Sequence, residues 1–167
     1  MGNRQGRRQN IRYYYLCPGD FIERERKLIH STIHDRRGWV TTHSAVEHTL
    51  NKADADIRIH KVPRHEMRKR FPRMRPEGLS VTESSPHDPA NIYFDQQNWN
   101  RPPQRFTGDR TTYRQYLIQH EMGHALMNLD DVSLKHFDET KPCPVMYQQS
   151  LGTVGKCQPN PWSRGEF

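Results

Sequence analysis

The sequence predicts an α+β fold in a single domain. From Ile57 to His60, apolar side chains alternate with polar ones, which is the period of a half-buried β-strand. From Arg110 to Asn128, apolar side chains recur at helical spacing. The 167 residues include 12 prolines and 10 glycines, which predict many turns and few long elements. We therefore expect a small, twisted mixed sheet with a few helices and much irregular chain.

The first half of the chain predicts one helix and two strands. Asp20 is a plausible N-cap for a helix from Phe21 to about His34, whose apolar residues fall near helical spacing. Residues 44–50 and 55–62 have the composition and alternation typical of strands.

The second half predicts one strand and the longest helix. Residues 63–90 are rich in proline and basic side chains and indicate a long loop. Asn91 to Trp99 reads as a strand, and the longest helix is predicted from Arg110 to Asn128. The segment from Leu129 to the end predicts irregular structure.

The positive charge is concentrated in two places. The chain has 26 Lys and Arg against 19 acidic residues, a net charge of +7. We predict a basic arm over residues 1–19, ahead of a domain over residues 20–167; its arginines are Arg4, Arg7, Arg8 and Arg12. A second block lies within residues 61–75 and includes Arg68, Lys69 and Arg70. Both favour either an ordinary solvated surface or contact with nucleic acid or an acidic partner in a larger assembly.

The chain carries few signals of cellular location. Its first ten residues contain no apolar stretch, so we expect no secretory signal. No run of 18 apolar residues occurs, so we expect no membrane span. Three cysteines leave at least one thiol free or paired with another chain, and Cys143 and Cys157 could close a small loop between them.

The predicted long helix contains the sequence His-Glu-Met-Gly-His from His120 to His124. Residues four apart lie on one face of a helix, so the two imidazoles point at one place. Neutral imidazole nitrogens are typical Zn²⁺ ligands, and Glu121 beside them is placed to act as a general base. Asp130 follows where a third ligand should return to the metal.

Several motifs together resemble the metzincin metalloproteases. The stretch HEMGHALMNLD is similar to their long zinc signature, and CPVMYQQS resembles their methionine turn, with Met146 as its methionine. The wider pattern is similar to a bacterial, mostly actinobacterial, metzincin-type domain of unknown function. The resemblance covers roughly residues 30–163 and includes the Gly38-Trp39 and Asn98-Trp99 pairs.

This resemblance implies a metzincin-like domain and a zinc endopeptidase. One Zn²⁺ would be held by His120, His124 and Asp130, and Glu121 would activate the water that attacks a peptide bond. Two departures bear on the ligand set. Met127 replaces the signature glycine, and the third ligand is aspartate, as in the snapalysin branch, rather than the commoner histidine.

Some consequences of the resemblance stay open. If the turn after the helix is shifted, Asp131 or His136 could replace Asp130 as the third ligand. Tyr147 either stabilises an oxyanion or packs in the core. The matching cysteines of the family imply a disulfide between Cys143 and Cys157.

Two functions remain in competition at the level of sequence. The first is the zinc endopeptidase acting on a peptide or protein substrate, which the family resemblance implies to be extracellular. The second is a structural or particle-associated protein that retains the fold, with or without zinc, and binds an assembly partner or nucleic acid through its basic arm.

Overall fold

Five short strands form one mixed sheet in the computed structural model, which describes residues 10–16, 20–40 and 45–163. The strands are β1 (Ile11–Tyr15), β2 (Val46–His48), β3 (Ile57–Val62), β4 (Val81–Glu83) and β5 (Ala90–Asp95). Their order across the sheet is β2-β1-β3-β5-β4. All neighbours are parallel except β4, which runs antiparallel to β5 and forms one edge.

Four α-helices accompany the sheet within the described residues. They are α1 (Glu23–Ile33), α2 (Arg64–Arg70), α3 (Gln96–Asn100) and α4 (Arg110–Met127). The chain is thus an α+β domain, as predicted. None of these helices combines the length and the hydropathy that crossing a bilayer requires.

The core lies between the sheet and helices α1 and α4. The alternation predicted for β3 is observed, with Ile57 and Ile59 almost fully buried. Aromatic side chains fill much of the remaining volume, and Trp99 is 0 % exposed. Large buried rings of this kind contribute much of the apolar area that stabilises a small domain.

A buried polar cluster ties α1 to the sheet and to α4. Glu25 accepts hydrogen bonds from Lys61 Nζ at 2.8 Å and from Trp99 Nε1 at 2.8 Å. Arg114 on α4 lies 3.4 Å from the same carboxylate. Glu25 also accepts from the backbone N–H of Ile22, so the N-cap is Ile22 and not the predicted Asp20.

Three predicted elements need correction. The loop predicted for residues 63–90 contains helix α2, which follows Pro63 and buries Met67, and it also contains strand β4. The strand predicted from Asn91 to Trp99 ends at Asp95, because that side chain accepts from Asn98 N and begins α3.

The third correction concerns the start of the chain. Residues 11–15 of the predicted arm form β1, which lies between β2 and β3 inside the sheet. Tyr13 and Tyr15 point into the core and are 1 % and 4 % exposed. Arg12 lies on this strand, where its backbone N–H donates to Asp56. The other arginines of the arm lie outside the described residues: Arg4, Arg7 and Arg8.

Irregular structure follows α4, as predicted. Apart from a short 3₁₀ turn at Gln149–Leu151, the described chain from 128 to 163 has no helix or regular strand. The predicted disulfide between Cys143 and Cys157 is present. It crosslinks two positions of this C-terminal part that are 14 residues apart, within a small apolar cluster that also contains Tyr147 and Leu134.

Candidate metal centre

Helix α4 presents His120 and His124 on one face, as the four-residue spacing requires. Their Nε2 atoms lie 3.3 Å apart. Each Nδ1 faces a backbone carbonyl: Val145 O at 2.8 Å for His120 and Leu129 O at 2.6 Å for His124. Since a carbonyl only accepts, both Nδ1 atoms carry hydrogen, and the two Nε2 atoms are the positions at which a metal can bind.

The third member of the group is Asp131. Its Oδ1 lies 3.1 Å from His120 Nε2 and 3.2 Å from His124 Nε2. Among the described residues, these three side chains form the one group of His, Cys, Asp or Glu arranged to hold a metal ion. Asp130, the predicted ligand, is not part of that group, and neither is His136.

The turn after α4 explains why the carboxylate that meets the two imidazoles is one residue later than the predicted Asp130. The signature glycine is Met127 here, which remains helical. The chain leaves the helix at Asn128, whose φ of 52° and ψ of 39° are left-handed. Asparagine tolerates this conformation better than most residues do. Moving the turn by one residue moves the returning carboxylate from Asp130 to Asp131.

The spacing of the three atoms fits a tetrahedral zinc ion. Ligands about 2.0–2.1 Å from a tetrahedral centre lie about 3.3–3.4 Å from one another. The three separations here, 3.1, 3.2 and 3.3 Å, are close to that value. Two imidazoles and one carboxylate are also a common ligand set for catalytic zinc.

Charge and burial couple the three side chains even without a metal. The hydrogen bond to Asp131 raises the pKa of His124 to about 9. Burial alone raises the pKa of Asp131, but hydrogen bonds from His120 and His124 outweigh it and hold that pKa below its usual value. A bound cation would replace the protons that these contacts require.

Glu121 lies beside the first histidine and is only 1 % exposed. Its Oε2 accepts a 2.5 Å hydrogen bond from the hydroxyl of Thr82 on strand β4. Burial raises the pKa of Glu121, while His120 and the Thr82 hydroxyl act in the opposite direction. The predicted base is therefore held by Thr82, a residue that no sequence motif singled out.

The segment around Met146, predicted as a methionine turn, packs against helix α4. A Cβ at Gly123 would collide with Met146 Sδ, so the glycine permits this close approach. The backbone carbonyl of Met146 also accepts a hydrogen bond from Val132 N at 3.0 Å, which holds the residue after Asp131 close to Met146. Met146 thus lies against Gly123, which stands between His120 and His124 on α4.

Two further residues of this region have defined roles in packing. Gln148 Nε2 donates to Asp131 Oδ2 at 3.3 Å and so helps to orient that carboxylate. Tyr147 is 7 % exposed, and its hydroxyl donates to Gly152 O and accepts from Lys156 Nζ. These contacts support core packing rather than an oxyanion role for Tyr147.

An open cleft of about 400 Å³ lies beside the group. Glu121, His124 and Asp131 line it on one side. Residues 79–82 of the β4 region line it on the other side. Among the described residues, no strand pairs with the outer edge of β4.

The second basic block is largely neutralised by acidic partners. Arg68 forms a two-point contact with Glu77 at 2.8 and 2.9 Å. Two further cations of the block also have acidic neighbours: Lys69 lies 3.1 Å from Glu66 and Arg70 lies 3.8 Å from Glu83. This pairing weakens the case for a polyanion site on α2, which stays an untested prediction.

Comparison with known proteins gives a family but no function. Residues 22–163 match the model of a family described as a protein of unknown function (DUF3152). No curated protein matches the chain. The match agrees with the predicted resemblance to a domain of unknown function, whereas the metzincin relationship stays a proposal. Because most of the chain is matched, the protein belongs to the DUF3152 family of unknown function.

Proposed function

We propose that the protein is a zinc-dependent endopeptidase of metzincin type. The observation that carries this proposal is the group of two Nε2 atoms and one carboxylate oxygen, with a glutamate beside it. A protein that needed only a structural metal would have no use for a buried carboxylate at the position of Glu121. The open cleft next to the group provides access for a substrate.

The residues of the site have separate tasks in peptide hydrolysis. His120, His124 and Asp131 would hold the zinc ion, which supplies a Lewis acid that polarises a peptide carbonyl and acidifies a water. Glu121 takes the proton of the attacking water and delivers it to the leaving amine. Thr82 keeps the Glu121 carboxylate in one orientation during both transfers.

The edge strand supports a peptide as the substrate. Strand β4 offers unpaired backbone N–H and C=O groups on its outer side within the described chain. An extended peptide can add to such an edge by backbone hydrogen bonds. Thr82 on this strand touches Glu121, so a peptide bound there would lie near the base.

The intrachain disulfide agrees with a proposed extracellular location, because such bonds persist mainly in oxidising compartments. No feature of the described residues favours the particle-associated alternative. Its main evidence, the arginines before residue 10, lies outside them.

Metal analysis and a cleavage assay on the same preparation test the proposal. Protein purified without chelator should contain one zinc per chain by plasma-emission analysis and cleave fluorogenic casein. Glu121→Gln should keep the zinc and lose about 10²–10⁴-fold in rate, the usual contribution of a general base. Zinc-loaded protein whose activity is unaffected by this substitution would refute the assigned role.

A further inference from the structure

A second cleft, of about 430 Å³, lies in the C-terminal part of the chain. Its floor and walls include apolar residues and one end of the disulfide. Four basic side chains line it: Lys135, His136, Lys141 and Lys156. Asp138 is the only acidic residue of the lining. Its Oδ1 accepts hydrogen bonds from the backbone N–H and the hydroxyl of Thr140, at 2.9 and 2.6 Å.

Lys156 is the best-defined cation of this cleft. It is half-buried, and its Nζ donates to the hydroxyl of Tyr147 at 3.0 Å. The ammonium also lies 5.7 Å from the centre of the Tyr147 ring and 6.0 Å from that of Phe137. Within the described part of the chain, no carboxylate lies at ion-pair distance from it. A positioned ammonium with unused hydrogen-bond donors is suited to bind a carboxylate.

This cleft is close to the candidate metal centre. Ser133, on its rim, follows Asp131 by two residues, so the two Cα atoms are separated by at most about 7 Å. Pro144, on another wall, precedes Met146 by two residues. These separations place the cleft beside the candidate metal group, at a distance that two or three residues of an extended peptide can span.

We propose that the cleft lined by Lys135, Lys141 and Lys156 binds an acidic side chain of the peptide substrate. The proposed endopeptidase then prefers Asp or Glu within about three residues of the scissile bond. This inference rests on the proposed function, because it assigns a substrate class to the same site. The charge argument is local: three lysines and one aspartate line the cleft, which leaves an excess of positive charge there.

The test measures binding without cleavage. Zinc-loaded Glu121→Gln protein keeps the proposed ligands and is titrated with fluorescein-labelled nonapeptides by fluorescence anisotropy. The peptides share a Gly-Ala-Leu background and carry one Glu, or one Gln, at successive positions. We expect one or two neighbouring positions at which Glu binds about fivefold to tenfold tighter than Gln, as one charge-assisted hydrogen bond provides.

Charge-matched variants locate the effect. Lys156→Met, made in the Glu121→Gln background, keeps the apolar stem and should reduce the preference for Glu to less than about twofold. Lys27→Met in the same background removes the same charge from an exposed ion pair with Glu23 on α1 and should leave it unchanged. Should Lys156→Met not fold, Lys135→Met replaces it.

Three outcomes separate the two proposals. Equal binding of Glu and Gln peptides at every position, or a preference that survives Lys156→Met and Lys135→Met, would overturn the role of the cleft. Selective binding of acidic peptides by a protein whose parent cleaves nothing would refute the endopeptidase and retain the cleft. Cleavage by the parent without any preference for acidic peptides would retain the endopeptidase alone.

Discussion

Exchanging Asp131 and Asp130 separately for asparagine tests the ligand set most directly. Asparagine has nearly the same shape as aspartate but no charge, so neither change should disturb the fold. Asp131 Oδ1 lies 3.1 and 3.2 Å from the two Nε2 atoms, whereas Asp130 only lines the neighbouring cleft. The main difference between the two positions is therefore contact with the two imidazoles, which only Asp131 makes.

The expected magnitudes are far apart. Loss of an outer-shell partner alone weakens metal binding about 10–100-fold, so loss of the ligand Asp131 should weaken it by at least about 100-fold, or about 2.7 kcal/mol. Asp130→Asn removes only a nearby charge, and solvent screens the effect of that charge on the site. It should therefore change zinc affinity by less than about threefold.

Competition with a fluorescent chelator at constant ionic strength measures both affinities, and circular dichroism confirms that the variants are folded. Loss of zinc in Asp130→Asn together with retention in Asp131→Asn would refute the reasoning. The third ligand would then follow the signature spacing, and the shifted turn at Asn128 would not determine it.

Three other predictions follow from the same structure. Thr82→Val leaves the buried Glu121 carboxylate without its hydroxyl donor and should lower kcat about tenfold with little change in KM, whereas Thr82→Ser should restore the rate; equal kcat in both variants would contradict this. Replacing Cys143 and Cys157 together by serine opens a loop with a separation of 14 residues and should lower the free energy of unfolding by about 3 kcal/mol in urea titrations. The folded-state pKa of Glu25 is lowered: its burial opposes this shift, but hydrogen bonds outweigh it. The contribution of Glu25 to the free energy of unfolding is therefore complete above its unfolded-state pKa and is lost as pH falls through its folded-state pKa. Urea midpoints should thus fall more steeply on acidification in the parent than in Glu25→Gln.

Local patterns in the sequence were sufficient for the elements whose geometry is itself local. The boundaries of α4 were predicted within one residue, and the placement of His120 and His124 on one face follows from helix geometry alone. The alternation of β3 likewise identified Ile57 and Ile59 as core residues. The disulfide was implied by the family resemblance and is present.

Other elements depended on contacts that are distant in sequence. Strand β1 was missed because it follows a run of arginines, although the alternation of Tyr13 and Tyr15 is a signal that could have revealed it. Strand β4 has only three residues and is defined by its pairing with β5. Since a short strand has little periodicity of its own, its neighbours decide whether it forms.

The sequence by itself therefore determined the α+β class, the helix that carries His120 and His124, and the glutamate beside its first histidine. Tertiary structure alone decided that Asp131 joins the two imidazoles, that Thr82 holds Glu121 and that Lys156 lines a second cleft near this group. The physical reason is the same in each case. A helix repeats a fixed local geometry, whereas a left-handed residue at Asn128 or the pairing of an edge strand redirects the chain and changes which side chains meet.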